Sequence, residues 1–488
     1  MEEYIKKLLE QVRFEKSHKA IGDEIRLHIE DQIEANVLDG MDIETAEKKA
    51  VEEMGDPVAT GIELDKVHRP QLAWGVVIVA FFVAILGTMI HVFMSKDPAL
   101  EYLQYQNDVG SFIIYTVGGI AVMMLLYLLD YTTVAKYSKV AATCMITVYM
   151  LGIFLRDKVY FMQLEWLDKT GHRTGWENAD FPLLIKVLDP IASFMNPPML
   201  LLIPLYAGII YKYKGQKIEG LIKSVLWIIV SAYIVAYKGY LNSHAACLIF
   251  VLSMLVQLSF AIKKGWLKVP KIPVLITLWT TFSVFLGYVA KKEYERASGT
   301  VLRWVGEDGN LYERPTINAN IDIVRAYMKQ VKLFENALLS SLGGKSYSPA
   351  QYSISDPGTG MILTYILTTG GLIVGIVVIA TVVGLIVYGL VTVLKTKNQL
   401  GMVIGIGCMM WLISNTVVNI LVGTGIIDDQ GGGAFLPFVS NDKLVESYAL
   451  LGILLSIYKY KNAYSQHIDI NLRIDLKKLR LKKLKQRG

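Results

Sequence analysis

Asp356, Arg296, Arg303 and Lys345 stand within one polar stretch, residues 292–359, that separates two long apolar runs of a 488-residue chain. A carboxylate in such a stretch can take a proton as a general base, and guanidinium and ammonium groups can hold an anion through charge-assisted hydrogen bonds. Asp356 is the best base candidate. Asp322 is poorer, because it opens the amphipathic stretch Ile321, Val324, Met328, Val331 and Leu338, which reads as a helix lying on a bilayer. Lys186 is a fifth candidate, set among Leu183, Leu184, Ile185, Val187 and Leu188. A charge in such surroundings faces a bundle interior or snorkels to an interface. For the basic residues the plain alternative is an interfacial charge near lipid headgroups, and for Asp356 a turn before Pro357-Gly358.

Other motifs carry no chemistry. Gly343-Gly344-Lys345-Ser346 looks like the end of a phosphate loop, but Leu339 stands where the first glycine is required. His244 and Cys247 share a helix face, and two ligands do not make a zinc site, so no metal site is expected there. Cys144, Cys247 and Cys408 all fall in apolar runs and read as packing residues rather than a disulfide framework.

The elements that must position these residues are membrane helices. Hydrophobic residues make up 53% of the chain and the mean hydropathy is +0.41. Ten apolar runs lie near 73–94, 111–129, 138–155, 198–212, 220–237, 243–262, 272–290, 361–394, 401–426 and 444–458. Most are long enough to cross a hydrocarbon core of roughly 30 Å. The fourth is the weakest, being preceded by Asn196-Pro197-Pro198, and the eighth is long enough to tilt or overshoot. The fold class is therefore all-α: a polytopic membrane protein with about ten transmembrane helices and a small soluble N-terminal helical domain. No cleavable signal peptide is expected, since residues 1–70 are charged throughout. With a cytoplasmic N-terminus, alternate loops carry Lys136 and Lys139, then Lys212, Lys214, Lys217 and Lys223, then Lys263, Lys264, Lys268 and Lys271, then Lys395 and Lys397. The positive-inside rule then places both termini in the cytoplasm and 292–359 outside the cell.

Three segments follow: a cytoplasmic helical domain at 1–70, a membrane domain at 71–463 and a basic cytoplasmic tail at 464–488. Helical periodicity over Glu2–Phe14, Ser17–Val37 and Ile43–Met54 predicts three helices, with Asp42 as an N-cap and Gly55-Asp56-Pro57 starting a short fourth. A core this small is marginal alone and is expected to dock on a partner or on the membrane domain. Glu24, His28, Ala46, Ala50 and Met54-Gly55-Asp56-Pro57 resemble the prefix domain found ahead of bacterial permease-like proteins. The tail, with Leu472, Leu476, Leu479, Leu481 and Leu484 among lysines, reads either as an amphipathic helix on anionic lipid or as a solvated end that fixes topology.

The last spans are the most informative. Asn415 and Asn419, a glycine-rich loop, Leu436-Pro437-Phe438-Val439-Ser440 and a final span containing Gly452 follow in that order. This order resembles the SEDS family (shape, elongation, division and sporulation), ten-span membrane glycosyltransferases that polymerise lipid II into peptidoglycan strands. Leu129-Asp130-Tyr131 with Lys136-Tyr137, Phe181-Pro182 with Lys186, Glu293-Tyr294-Glu295-Arg296, Tyr327 and Gln330 before Gly343-Gly344, and Pro349 before Asp356 resemble family segments in the same order. The resemblance covers about residues 73–463. It implies Asp356 as the catalytic carboxylate and a lipid II or related polyprenyl-pyrophosphate substrate at the outer face of a bacterial plasma membrane. It also implies a single-span transpeptidase, a class B penicillin-binding protein, as partner. Arg296, Arg303, Lys345 and Lys186 are the expected substrate-binding residues, with a divalent cation such as Mg or Mn assisting. Membrane lipids are the remaining expected contacts, and nucleic acid is not one.

The chain also departs from the family pattern. Asp356 leads into Pro357-Gly358-Thr359-Gly360, Thr368-Thr369 stands where the family has an acid pair, and Asn441-Asp442-Lys443 follows Ser440. Aligned on Gly371-Leu372, the catalytic position falls near Gly360. A non-catalytic relative that binds the lipid-linked precursor or scaffolds cell-wall enzymes is therefore the alternative reading, and a lipid-precursor transporter the third.

Overall fold

In hydrocarbon a backbone must satisfy its own hydrogen bonds, so each apolar run is expected to close into a helix. The computed structural model describes residues 1–70, 73–95, 109–170, 182–195, 198–236, 244–299, 301–305, 311–315, 324–325, 328–329, 331, 333, 360–427 and 435–464. A soluble unit comes first: α1 (Glu2–Glu10), α2 (Glu15–Leu38), α3 (Ile43–Glu53) and α4 (Pro57–His68). The membrane helices follow as α5 (Trp74–Ser95), α6 (Val109–Leu128), the short α7 (Tyr131–Lys136), α8 (Ser138–Thr170) and α9 (Leu183–Phe194). Next come α10 (Leu202–Tyr211), α11 (Ile218–Ala236), α12 (His244–Lys263) and α13 (Lys271–Gly299). An antiparallel hairpin, β1 (Val301–Val305) and β2 (Leu311–Pro315), leads on to α14 (Ile362–Leu394), α15 (Gln399–Gly423) and α16 (Leu444–Lys459).

Eight of the described helices are long and apolar enough to cross a membrane. The shorter α10, continued backwards by a 3-10 turn at Met199–Leu201, and the 16-residue α16 complete the set expected from the ten apolar runs. The chain is a polytopic all-α membrane protein. Phe82, Ile114, Val117 and Val284 stand on outward faces of the spans, surface that lipid rather than water would cover.

Close approach sets the packing in several places. A Cβ at Gly119 would lie 2.6 Å from the Tyr448 ring, and one at Gly452 would lie 2.5 Å from the carbonyl of Met123, so α6 and α16 pack nearly backbone to backbone. This small-residue contact is how membrane helices gain dispersion energy without a hydrophobic driving force.

The two rims of the bundle are distinct. One carries α1–α4 and is termed the domain rim; the other carries the C-terminal end of α13, the β1–β2 hairpin and the start of α14 and is the loop rim. The lysine-rich connections gather at the domain rim. There Lys212 Nζ donates to the carbonyl of Lys136 at 2.7 Å, the backbone N–H of Gly215 donates to Trp266 at 2.7 Å, and Trp266 Nε1 donates to Gln399 Oε1 at 2.8 Å.

The soluble unit has a core of its own, built on Tyr4, Ile5, Leu8, Ile21, Ile25 and Ile29. Asp42 caps α3 through the N–H of Thr45, and Asp56 caps α4, with Pro57 at the first helical position. The Arg13 guanidinium donates to Asp65 Oδ2 at 2.6 and 3.0 Å, and the Arg13 backbone N–H donates to Oδ1. These bonds hold the Asp65 carboxyl below its usual range. The unit docks on the membrane domain through Phe14, whose ring stacks 5.4 Å from Tyr460 and meets Tyr464 edge-on.

Candidate functional site

The loop rim is built around a broken helix. At about 1.5 Å per residue the 33 residues of α14 would reach ~50 Å, well past a hydrocarbon core. The chain resolves this at Gly371, whose φ of 80° and ψ of 172° interrupt the helix. Such a conformation is essentially closed to residues with a Cβ. The first piece, 362–370, is enclosed by protein almost on every side, with Ile362 to Thr368 all buried. The second piece, 372–394, buries a single stripe at Gly375, Val378, Val382, Leu385, Ile386 and Gly389. Thus 372–394 does the spanning, and 362–370 is a half-helix held inside the rim.

Side chains from α15 fix where this half-helix starts. Asn419 Nδ2 donates to the carbonyl of Gly360 at 3.1 Å, and the Thr364 hydroxyl donates to the carbonyl of Gly423 at 3.0 Å. Arg325 Nε reaches the carbonyl of Gly425 at 2.9 Å, and Val324 is buried against Met361 and Val422. Val324 therefore packs on the bundle rather than facing a bilayer. Asn415 and Asn419 are completely buried, and the Oδ1 of each has no protein partner among the described residues. Trp411 Nε1, one helical turn earlier, is in the same position, so α15 carries a column of polar atoms into the rim.

The Leu436–Ser440 loop closes the rim from the other side. Ser440 Oγ accepts from the N–H of Leu436 at 2.7 Å, and Phe438 sits in left-handed backbone at φ 67°. His91 Nε2 donates to the carbonyl of Val439 at 3.0 Å while its ring stacks 3.9 Å from Phe112. A Cβ at Gly87 would come within 3.2 Å of the Phe438 carbonyl, so glycine there lets the loop backbone lie against α5. Phe438 in turn meets Tyr448 edge-on at 5.2 Å. The sequence motif is thus a buried plug that ties α5, α6 and α16 together. Sequence reasoning passed over His91, since a lone histidine in an apolar helix gives no sign that it holds a carbonyl far along the chain.

The sequence-predicted residues are distributed as follows. Asp356 and Lys345 lie outside the described residues; Asp356 precedes the anchored Gly360 by four positions. Arg296 is near the end of α13, and Arg303 is on β1 in register with Glu313. Lys186 is exposed on α9, beside exposed Leu183, Leu184 and Val187, and α9 packs on α8. Tyr327, Gln330, Gly343 and Gly344 lie outside the described residues, as does the tail from Ser465. At the expected acid-pair position, the Thr368 and Thr369 hydroxyls donate back to the carbonyls of Thr364 and Tyr365 at 2.8 and 2.7 Å.

Mg and Mn favour hard oxygen donors including carboxylates. The buried oxygens here are neutral amides, and no group of three His, Cys, Asp or Glu side chains is placed to hold a metal among the described residues.

No family model matches the chain, and no curated protein matches it. Among solved structures, the fold is similar to one chain of a peptidoglycan synthase complex reported as structurally coordinating polymerization and crosslinking. The TM-score is 0.50 and the identity 14%, over 80% of this chain and 98% of that one. At this identity the likeness is one of fold.

Proposed function

We propose that this chain acts in peptidoglycan synthesis as a membrane glycosyltransferase that polymerises lipid II at the outer face of a bacterial plasma membrane. The observation that carries the reading is the shared fold over nearly the whole of a synthase-complex chain, with 14% identity. The loop rim adds support, because Gly360, four residues after Asp356 and just before the half-helix, is pinned by Asn419. In this reading the Asp356 carboxylate takes the proton from an attacking sugar hydroxyl. The new glycosidic bond forms as the bond to pyrophosphate breaks, and the electron pair leaves with the pyrophosphate. Arg296, Arg303 and Lys345 neutralise that leaving group. The lipid tail enters sideways between spans, both termini are cytoplasmic, and a single-span transpeptidase is the partner.

One observation favours a second reading. Thr368 and Thr369 replace the expected acids and close their hydroxyls onto their own helix, which suits a relative that binds lipid-linked precursor without turning it over. The test is purified protein in detergent with lipid II, with and without Mg or Mn, scored by glycan length on gels. The reading expects polymer from the wild type and none from Asp356→Ala. Lipid II binding without polymer under all conditions would favour the second reading. Passage of a lipid precursor across proteoliposomes without polymer would replace both with a transporter.

A further inference from the structure

The domain rim holds a cavity of about 750 Å³ between α2 and the membrane domain. Its α2 wall presents Asp23, Glu24, His28 and Asp31 together with the exposed, apolar Leu27. The facing wall includes Lys397, from the α14–α15 connection, and Tyr464. Glu24 and His28 are two of the residues that carry the prefix-domain resemblance, and nothing in the loop-rim chemistry uses them. Asp23 has one weak internal partner, Arg26 at 3.7 Å. Glu24 and Asp31 have no ionic partner among the described residues.

Charge and chain continuity indicate what sits here. Residues 1–70 carry eighteen Asp and Glu against ten Lys and Arg. Residues 465–488 carry eight Lys and Arg against Asp469 and Asp475, with leucines at 472, 476 and 479. The last described residue before that tail, Tyr464, is itself part of the cavity wall. It is held there by its hydroxyl, which donates to the buried carboxylate of Asp130, and by the Phe14 ring. The tail therefore leaves from the cavity. Its first cation, Arg473, is nine residues on, a reach of roughly 14 Å as helix or 30 Å extended.

We propose that the basic tail, residues 465–488, folds back into this cavity, with its lysines against Asp23, Glu24 and Asp31 and its leucines against Leu27. The soluble unit is then a receptor for the chain's own C-terminus, clamped to the membrane domain at the Phe14 stack and at the tail. Exposed ion pairs are individually weak, so the site depends on several acting together and weakens as salt shortens the screening length.

The experiment uses the full-length protein in nanodiscs containing phosphatidylglycerol at physiological salt, treated with a zero-length carboxyl-to-amine crosslinker and mapped by mass spectrometry. Links from Glu24 or Asp31 to Lys477, Lys478, Lys482 or Lys483 are expected, with a yield that falls severalfold when salt is raised to about 1 M, where the screening length is about 3 Å. A charge swap guards against misfolding: K477E/K478E/K482E/K483E should lose the links, and adding D23K/E24K/D31K should restore them with donor and acceptor reversed. The absence of these links where others form overturns the proposal. So does a result in which they form in phosphatidylcholine nanodiscs alone, because the tail would then rest on anionic lipid.

Discussion

The two rims of the bundle solve the same problem, fixing a chain that leaves the membrane, by different means. At the domain rim the fastening is aromatic and ionic. Phe14 stacks on Tyr460, Tyr460 meets Tyr464 at a tilt and Tyr464 meets Tyr131 edge-on, and the Asp130 carboxylate accepts from Tyr464 and from Thr132 while capping α7. Burial, reinforced by the hydrogen bond to Asp130, keeps the Tyr464 phenol protonated far above the ordinary tyrosine range. At the loop rim the fastening is made of neutral side chains that grip backbone carbonyls: Asn419 on Gly360, Thr364 on Gly423, His91 on Val439. Among the described residues it leaves buried polar atoms of α15 without protein partners. The first arrangement secures a folded domain. The second sets where the half-helix begins and keeps buried polar groups behind it.

The sharpest way to break this contrast is at Gly371. Any side chain there must adopt a conformation that essentially only glycine visits, at about 1–3 kcal/mol. Gly371→Leu should lower the thermal midpoint and abolish polymer formation, whereas the crosslinks between tail and soluble unit should persist. A fully active Gly371→Leu would show that the break has no part in positioning. Next comes Asn419→Leu, which leaves the Gly360 carbonyl without its donor, at about 1–3 kcal/mol. Its expected signature is a fall in turnover larger than any fall in lipid II binding, measured side by side.

On the other rim, Tyr464→Phe removes a hydrogen bond to a charged group, a loss of about 1.5–3 kcal/mol locally. Hydrogen exchange should speed up in α1–α4, while polymer formation in detergent stays near wild type. Equal loss of activity would mean that the two rims are coupled. The smallest effect at neutral pH concerns Asp65. Its folded pKa is depressed by Arg13, so the stability it adds is fully present above the unfolded carboxylate value. That stability is lost only as pH falls through the lower, folded value. Melting of the soluble unit should therefore be flat from pH 7 to 5 and drop below about pH 4, a drop that Asp65→Asn makes smaller while the Asp42 cap keeps its share.

What could be read from sequence was whatever a single length or a local rule decides. The apolar runs became helices because hydrocarbon thickness and backbone satisfaction leave no other option, but α8 continues fifteen residues past its run, to Thr170, and α13 nine past its run, to Gly299, where no apolar signal marks the end. Asp42 and Asp56 were legible as caps for the same local reason. Gly371 was legible as a landmark but not as a break, because Gly370-Gly371 in an apolar run is compatible with a straight span, and the sign of φ is set by how 362–370 is enclosed. The Leu436–Ser440 motif could be noticed, but its task of presenting Val439 to His91 joins residues 348 apart. Phe14 against Tyr460 is a pairing of the same kind, which no periodicity announces.

The reading of the loop rim as a site for glycan polymerisation rests on one residue more than any other. Purified wild type and Asp356→Asn, each shown to bind lipid II equally, should differ in polymer formed by at least about a hundredfold, the scale of a lost general base. Equal polymer from both would remove Asp356 from the chemistry, and binding without polymer from either would leave the loop rim a place where the lipid-linked sugar is held but not joined.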